Sequence, residues 1–395
     1  MISPREIGAS LATGLATTLA RPRHTLLIAF GFIIAGITVA VLLTIPAGLR
    51  RLAGNTGTPD VAVVLPNGAF TESSGSFNAE LAGVVGGLPG VAHDKAGNPL
   101  VSPQFVVATR IPRTGGETAT VQVRGVTPAF WRIVGDRVRI TTGERFRPGH
   151  AELIAGVAAA RGFASTAIGD TIPIHNSPWR VTGNFAAGGG FWESELWTGM
   201  AVLQSTYNAD GKLTCLWVKL TSPAAFTKFR KSLQDDPRTR GLHAIRQPDY
   251  YAMQSTILQS FIGTAAKAIA LVLGLGAILA IVNALGLALD ARRRELAILR
   301  AVGFRRGALA VALLVEVLVI GAVCAGVAVL VAWLAVNGRE IGSSAISSAI
   351  EFRMQVDGHV IGWTVVYLLV IGLLSAIWPI VRAVRAPLTR ALQDE

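Results

Sequence analysis

Asp290-Ala-Arg-Arg-Arg-Glu295-Leu-Ala-Ile-Leu-Arg300-Ala-Val-Gly303-Phe-Arg-Arg-Gly307 is the stretch that decides how this chain is read. It holds six arginines and two acids, hence a net +4, and sits between two long apolar runs, Thr264–Leu289 and Ala308–Val336. Leu296, Leu299 and Val302 recur at helical spacing, so one side of a short helix can lie against protein or membrane. The spacing predicts an amphipathic docking helix at a membrane face.

The rest of the chain supplies that membrane. Its 395 residues are 51% hydrophobic and 15% charged, with a mean hydropathy of +0.50. That balance excludes an ordinary soluble enzyme. Four runs, Thr25–Ile45, Thr264–Leu289, Ala308–Val336 and Val360–Val381, approach or exceed the roughly 20 apolar residues that a bilayer core requires. The first follows a long polar lead and precedes Pro46-Ala47-Gly48, a poor cleavage site, so an uncleaved anchor is expected.

Arginine placement sets the expected orientation. Arg5, Arg21 and Arg23 precede the first run, six arginines fill the central loop, and Arg382, Arg385 and Arg390 follow the last run. The short loop between the third and fourth runs has only Arg339 and Arg353. Cations in short loops mark the cytoplasmic side. Both termini and the arginine helix are therefore expected on the cytoplasmic side of a multi-pass membrane protein, and Gly48–Phe261 outside. The fold class expected is a membrane protein of four transmembrane α-helices with a large extracytoplasmic α+β domain inserted between the first and second. In numbers, 1–24 is a cytoplasmic amphipathic helix, 25–46 the first span, and 47–262 the extracytoplasmic domain with stalk ends. The second span is 263–289, the cytoplasmic helix 290–307, the third span 308–336, an outer loop 337–359, the fourth span 360–381 and the tail 382–395.

The formal charge of +12 does not point to nucleic acid. About half of it flanks the apolar runs, where it orients the chain and meets anionic lipid headgroups. Cys215 and Cys324 fall in different parts of this plan, so no disulfide is expected and the inserted domain must rest on its own core. Ile7, Leu11, Leu15 and Leu19 recur every four positions before Arg21-Pro22, which reads as an interfacial helix, a frayed tail being the alternative. Short strands are predicted at Val61–Leu65, Phe105–Thr109, Thr118–Val126, Arg137–Thr141, Ile172–Ile174, Trp179–Gly183 and Cys215–Leu220. Ser222-Pro223 predicts a capped helix start, Phe226, Phe229 and Leu233 its buried face, and Asp236-Pro237 its end. From Pro248 onward the pattern is already helical, which predicts a stalk leading into the second span.

Catalytic signatures are missing from the sequence. It contains no G-x-x-x-x-G-K-[ST] phosphate loop, no H-E-x-x-H, no C-x-x-C and no G-x-S-x-G, and its six histidines lack metal spacing. No cofactor is expected on this chain. Glu316, about two turns into the third apolar run, is the most unusual polar residue, because an unpaired carboxylate there is costly. It either pairs with a loop arginine or Asn283, as a coupling element, or reaches headgroup water. Lys267 reads as a snorkelling lysine or a substrate contact, and Trp333, Trp363 and Trp378 as an interfacial belt. Gly188-Gly-Gly190-Phe191-Trp192-Glu193-Ser-Glu195-Leu196-Trp197 is either a contact loop presenting Phe191, Trp192 and Trp197 to a partner or a connection whose rings fold back into the core.

In this order of elements, Arg292–Gly307 followed by Glu316 resembles the coupling helix of the FtsX/MacB-type (type VII) ABC transporter permeases. The entry segment from Arg21 to Gly36 is similar to that family's first span. A looser likeness to its MacB-like periplasmic core domain rests on Val123-Arg-Gly-Val-Thr-Pro-Ala-Phe130, Gly143-Glu-Arg-Phe146, Gly169-Asp170 and Trp179-Arg-Val-Thr-Gly183. The resemblance implies a permease subunit working with a second copy or paralogue and with an ABC ATPase subunit that carries ATP and Mg. Arg292, Arg293, Glu295, Leu296, Leu299, Arg300 and Gly303 would couple to that ATPase, and Glu316 would brace them. The macrolide exporters of the family carry a fused ATPase, whereas this chain starts close to its first span, so a separate ATPase polypeptide is expected. Efflux of an amphipathic small molecule or peptide, with an adaptor and an outer-membrane channel, is the leading expectation. A lipoprotein-releasing permease and a non-transporting FtsX-like regulator of cell-wall hydrolases are the alternatives, because a fold does not fix its cargo.

Overall fold

A long apolar run in lipid can satisfy its backbone within its own segment only as a helix, and the computed structural model, which describes residues 22–302, 304–343 and 350–385, folds these runs so. Among the described residues four helices are long and apolar enough to cross a membrane. They are Pro22–Gly54, Gln247–Asp290, Arg306–Val336 and Gly358–Arg385. The interfacial helix expected before Arg21, Gly303 and most of the tail lie outside the described residues. The second helix is 44 residues long, roughly 66 Å at 1.5 Å per residue, and it begins at Gln247, ahead of its apolar run.

The chain divides into a helical unit and an α/β unit, the latter comprising Gly48–Ser260 and Glu340–Arg353. In the helical unit Phe32, Ile281, Val317, Leu368 and Ile371 form one buried cluster drawn from all four helices. Small residues allow the close approach, as is usual where lipid gives no hydrophobic drive between helices. A Cβ placed at Gly36 would lie 2.7 Å from Ala328 Cβ and 2.8 Å from Leu368 Cδ1. The Tyr367 hydroxyl donates to the Ala270 carbonyl at 2.7 Å. Trp333, Trp363 and Trp378 lie exposed on the outside of this unit, and so does Lys267.

The α/β unit is built on a ten-stranded mixed sheet. Its order is Leu242–Arg246, Val61–Pro66, Cys215–Lys219, Val101–Pro112, Thr118–Val126, Glu195–Gly199, Glu152–Gly156, Ser177–Ala186 and Arg139–Gly143, with Thr171–Ile174 added against Ser177–Ala186. Two pairings are parallel, Thr118–Val126 with Glu195–Gly199 and Glu152–Gly156 with Ser177–Ala186. Phe226, Phe229 and Leu233 of the helix Ala225–Asp235 are buried against strands Val61–Pro66, Cys215–Lys219 and Leu242–Arg246. The predicted cap does not form. The helix starts at Ala225 with no side-chain cap, and Ser222 instead supplies a carbonyl to the Ala225 N–H. Asp236 caps the following turn, accepting from the Arg238 N–H at 2.9 Å.

The contact-loop reading of Phe191, Trp192 and Trp197 needs correction, since all three rings are buried. Gly188 and Gly189 take positive φ, which turns the chain back. The Glu193 carboxylate then accepts from the N–H groups of Ala187 and Gly189 at 2.6 and 2.9 Å. Phe191 N–H donates to Thr56 Oγ1 at 2.8 Å, and Trp192 Nε1 donates to the Tyr251 hydroxyl at 2.8 Å.

A charged network lies in the middle of this core. Arg124, fully buried, donates to both Glu195 oxygens at 2.7 Å, to Glu72 Oε2 at 2.7 Å and to Gln104 Oε1 at 2.5 Å. Its guanidinium also stacks 4.7 Å from the Trp217 ring centroid. Burial opposes the arginine's charge, but Glu195 and Glu72 outweigh it and raise its pKa further. Burial raises the Glu195 carboxyl, with Arg124 pulling the other way. The first turn of the long helix is tied to the same network, because the Tyr250 hydroxyl accepts from the Glu72 N–H at 3.0 Å. Removing one partner of a buried ion network strands the others away from water. Arg124→Met is therefore expected to destabilise the α/β unit by roughly 3–5 kcal/mol, read as a lower denaturant midpoint in tryptophan emission. A loss under about 1 kcal/mol, the size of an exposed pair, would mean that the network does not hold the core.

Candidate functional site: the Arg292–Glu316 tether

The helix Arg293–Ala301 follows the second long helix after a turn at Ala291 and Arg292. Its face towards the bundle is apolar. Ala297 is buried, and Leu296, Leu299 and the following Phe304 pack on a cluster that includes Leu289, Leu309 and Leu313. Arg292 reaches from the turn to the third long helix, where its Nη1 lies 3.1 Å from Glu316 Oε1 and 3.4 Å from Oε2. Both side chains are nearly buried, at 11% and 10% exposure. A carboxylate in an apolar helix needs such a partner, and among the loop arginines Arg292 is one that supplies it. The result is a clamp: two leucines and an ion pair hold the short helix against the bundle.

The other expected residues divide by face. Arg293 is exposed and pairs with Asp290 at 2.9 Å, one turn back. Glu295 and Arg300 are half-buried, and each has a partner of its own. Gly303 lies outside the described residues. Val302, expected on the packed stripe with Leu296 and Leu299, is instead 74% exposed. Val302 continues the helical path, its N–H donating to the Ile298 carbonyl at 3.0 Å, and so lies one turn after Ile298, itself 50% exposed. The apolar spacing alone does not single out Ile298. Four positions before Val302, it completes an apolar pair on the free face, one turn after the exposed Arg294.

This geometry lies within a recognised sequence family. Residues 267–388 match the FtsX-like permease C-terminal family, and residues 25–236 match the MacB-like periplasmic core domain. The chain belongs to the FtsX/MacB-type permease family. Such a permease is a transmembrane subunit of ABC-transporter type that works with ATPase partners, and the four apolar helices make this one a multi-pass membrane protein. Among solved structures, the periplasmic region of MacB from Actinobacillus actinomycetemcomitans is similar at 13% identity, covering 52% of this chain and 94% of that one, with a TM-score of 0.37. The extracellular domain of the noncanonic ABC-type transporter YknZ from Gram-positive bacteria is similar at 16% identity, covering 47% of this chain and 100% of that one, with a TM-score of 0.35. Membership rests on the two sequence families. No curated protein matches the chain.

In the permease, the FtsX-like segment contains both ends of the tether. If Arg292 and Glu316 act on each other, their losses will not add. A double-mutant cycle of Arg292→Gln and Glu316→Gln is expected to return a coupling of about 1–3 kcal/mol, measured by thermal unfolding of the detergent-solubilised permease. Strict additivity would show that the clamp rests on the leucines alone.

Proposed function

We propose that this permease couples ATP hydrolysis by a separate ABC ATPase subunit to movement of its α/β domain, with Arg293–Ala301 as the docking helix. The observation that carries the reading is the free face of that helix. Ile298 and Val302 are exposed side by side on an element that the Arg292–Glu316 pair holds to the bundle. An exposed apolar pair with Arg294 one turn away fits a groove that is apolar within and acidic at its edge. Glu295 and Arg300, both half-buried, help to hold the helix in shape.

In this account the docking helix and both termini face the cytoplasm, as the arginine distribution requires. Two permease copies, or one and a paralogue, present two such helices to two ATPase subunits, which bind the ATP and Mg. Closure of the ATPase pair displaces the docking helices, and the second long helix, continuous from Gln247 to Asp290, carries the displacement onward. Differential nucleotide binding of a few kcal/mol is enough to bias such a two-state assembly. The cargo is an amphipathic small molecule or peptide exported with an adaptor and an outer-membrane channel.

Ile298→Asp tests the docking face without touching the packed one. Placing a carboxylate at the centre of the contact is expected to weaken recovery of a vanadate-sensitive ATPase at least tenfold in pull-downs from gently solubilised membranes. The thermal unfolding of the permease itself should not change. Equal ATPase recovery by wild type and variant would remove this face from the interface.

A further inference from the structure

The α/β unit contains a cavity of about 340 Å³ that no step above uses. This is at the small end of the roughly 300–1,000 Å³ range of small-molecule sites. Val126, Trp131, Phe146, Met200 and Val202 give it an apolar lining. Two polar groups among the lining residues are not engaged as their kind usually is.

The first is Arg145. Its guanidinium lies over the Trp131 ring at 4.1 Å from the centroid, and no described carboxylate forms an ion pair with it, whereas nearby Arg147 is taken up by Glu152. Arg147 N–H also donates to Glu152 Oε2 at 2.9 Å, which fixes the 145–149 wall. Stacking on an indole leaves the planar N–H groups of arginine able to bind an acid at their edge. The second is Thr127. It occupies the N-cap position of the helix Pro128–Val134, yet its side chain makes no capping bond. Its hydroxyl oxygen is shielded from solvent and has no hydrogen-bond partner. A buried hydroxyl left without a partner is costly, and threonine at an N-cap ordinarily spends its oxygen on the helix.

We propose that this cavity is a binding site for a small organic acid with an apolar body, whose ring or short chain fills the space between Trp131, Phe146 and Met200 and whose carboxylate meets Arg145. The volume suits an aryl or short-acyl acid and is too small for a two-chain lipid. The proposal concerns the α/β unit alone and does not depend on ATPase docking, so either can fail without the other.

The test uses the full-length permease in detergent and a benzoate carrying a trifluoromethyl diazirine as photoaffinity probe, with its neutral methyl ester as control. Labelled residues are mapped by peptide mass spectrometry. The acid is expected to label residues 126–131 and 199–202 saturably, with competition by excess unlabelled benzoate, and about tenfold more strongly than the ester, the worth of one charge-assisted contact. Arg145→Gln should lower labelling by the acid about tenfold and leave labelling by the ester unchanged. Arg145→Lys should retain part of the acid's preference. Ala201→Trp, which places an indole at the cavity lining, should abolish both. Size-exclusion profiles of the variants check that each is folded. Equal labelling by acid and ester, or acid labelling indifferent to Arg145→Gln, would overturn recognition of an anion. Labelling that survives Ala201→Trp would overturn the cavity as the site, and so would the absence of saturable labelling in wild type.

Discussion

A carboxylate cannot stay unpaired inside an apolar helix, and that constraint organises the functional end of this permease. Glu316 stands among residues that otherwise suit hydrocarbon, where an isolated charge is expensive. The requirement is met by an arginine that the chain delivers from the turn after the second long helix, at 3.1 Å. Once that pair forms, the position of the next nine residues is largely determined. Leu296 and Leu299 come down on the bundle, and whatever the helix has on its other side is presented outward. The tether therefore does more than satisfy a charge, because it fixes which face of Arg293–Ala301 turns away from the bundle.

The same logic recurs in the α/β unit, with a buried arginine in place of a buried acid. Arg124 gathers Glu72, Gln104 and Glu195 from three separate parts of the chain and lies over Trp217. Buried ion networks are poor sources of net stability, since desolvation offsets most of the attraction, but they tolerate no missing member. A domain organised this way has one arrangement in which its polar centre is satisfied. The attachment of Tyr250 to Glu72 brings the start of the long helix into that arrangement.

How much of this can be read from the sequence depends on whether the signal is local. Long apolar runs, the arginine-loaded segment and the odd carboxylate at Glu316 are local, and they lead to the bundle and to the family. The strands are local signals too, Val61–Pro66 as a continuous apolar run and Thr118–Val126 by its alternation. The strands Glu152–Gly156 and Glu195–Gly199 are not legible, because each opens on an acid that looks solvent-facing until its arginine, Arg147 or Arg124, is brought beside it by folding. Arg124 itself gives no sign, since one arginine in a strand normally points to water, and its partners lie 20 to 71 residues away. At the docking helix the face assignment fails at one position. Val302 keeps helical geometry and donates its N–H to the Ile298 carbonyl, so one turn on it falls on the side of Ile298 and away from Leu296. At the Gly188–Trp197 loop both outcomes are compatible with the residues, and Glu193, by gathering two backbone N–H groups, decides for the folded-back form.

The most direct test of the account is site-specific photocrosslinking from the docking helix in intact membranes. A benzophenone amino acid placed at Ile298 should crosslink to a protein whose peptides contain a G-x-x-x-x-G-K-[ST] phosphate loop, and the crosslink should weaken when Glu316→Gln releases the tether. The same reporter at Leu299, on the packed face, should give no such product. If Ile298 crosslinks only to lipid or to the permease itself while Leu299 captures the ATPase, the helix is docked by its other face, and the Arg292–Glu316 pair does not set the face that the ATPase meets.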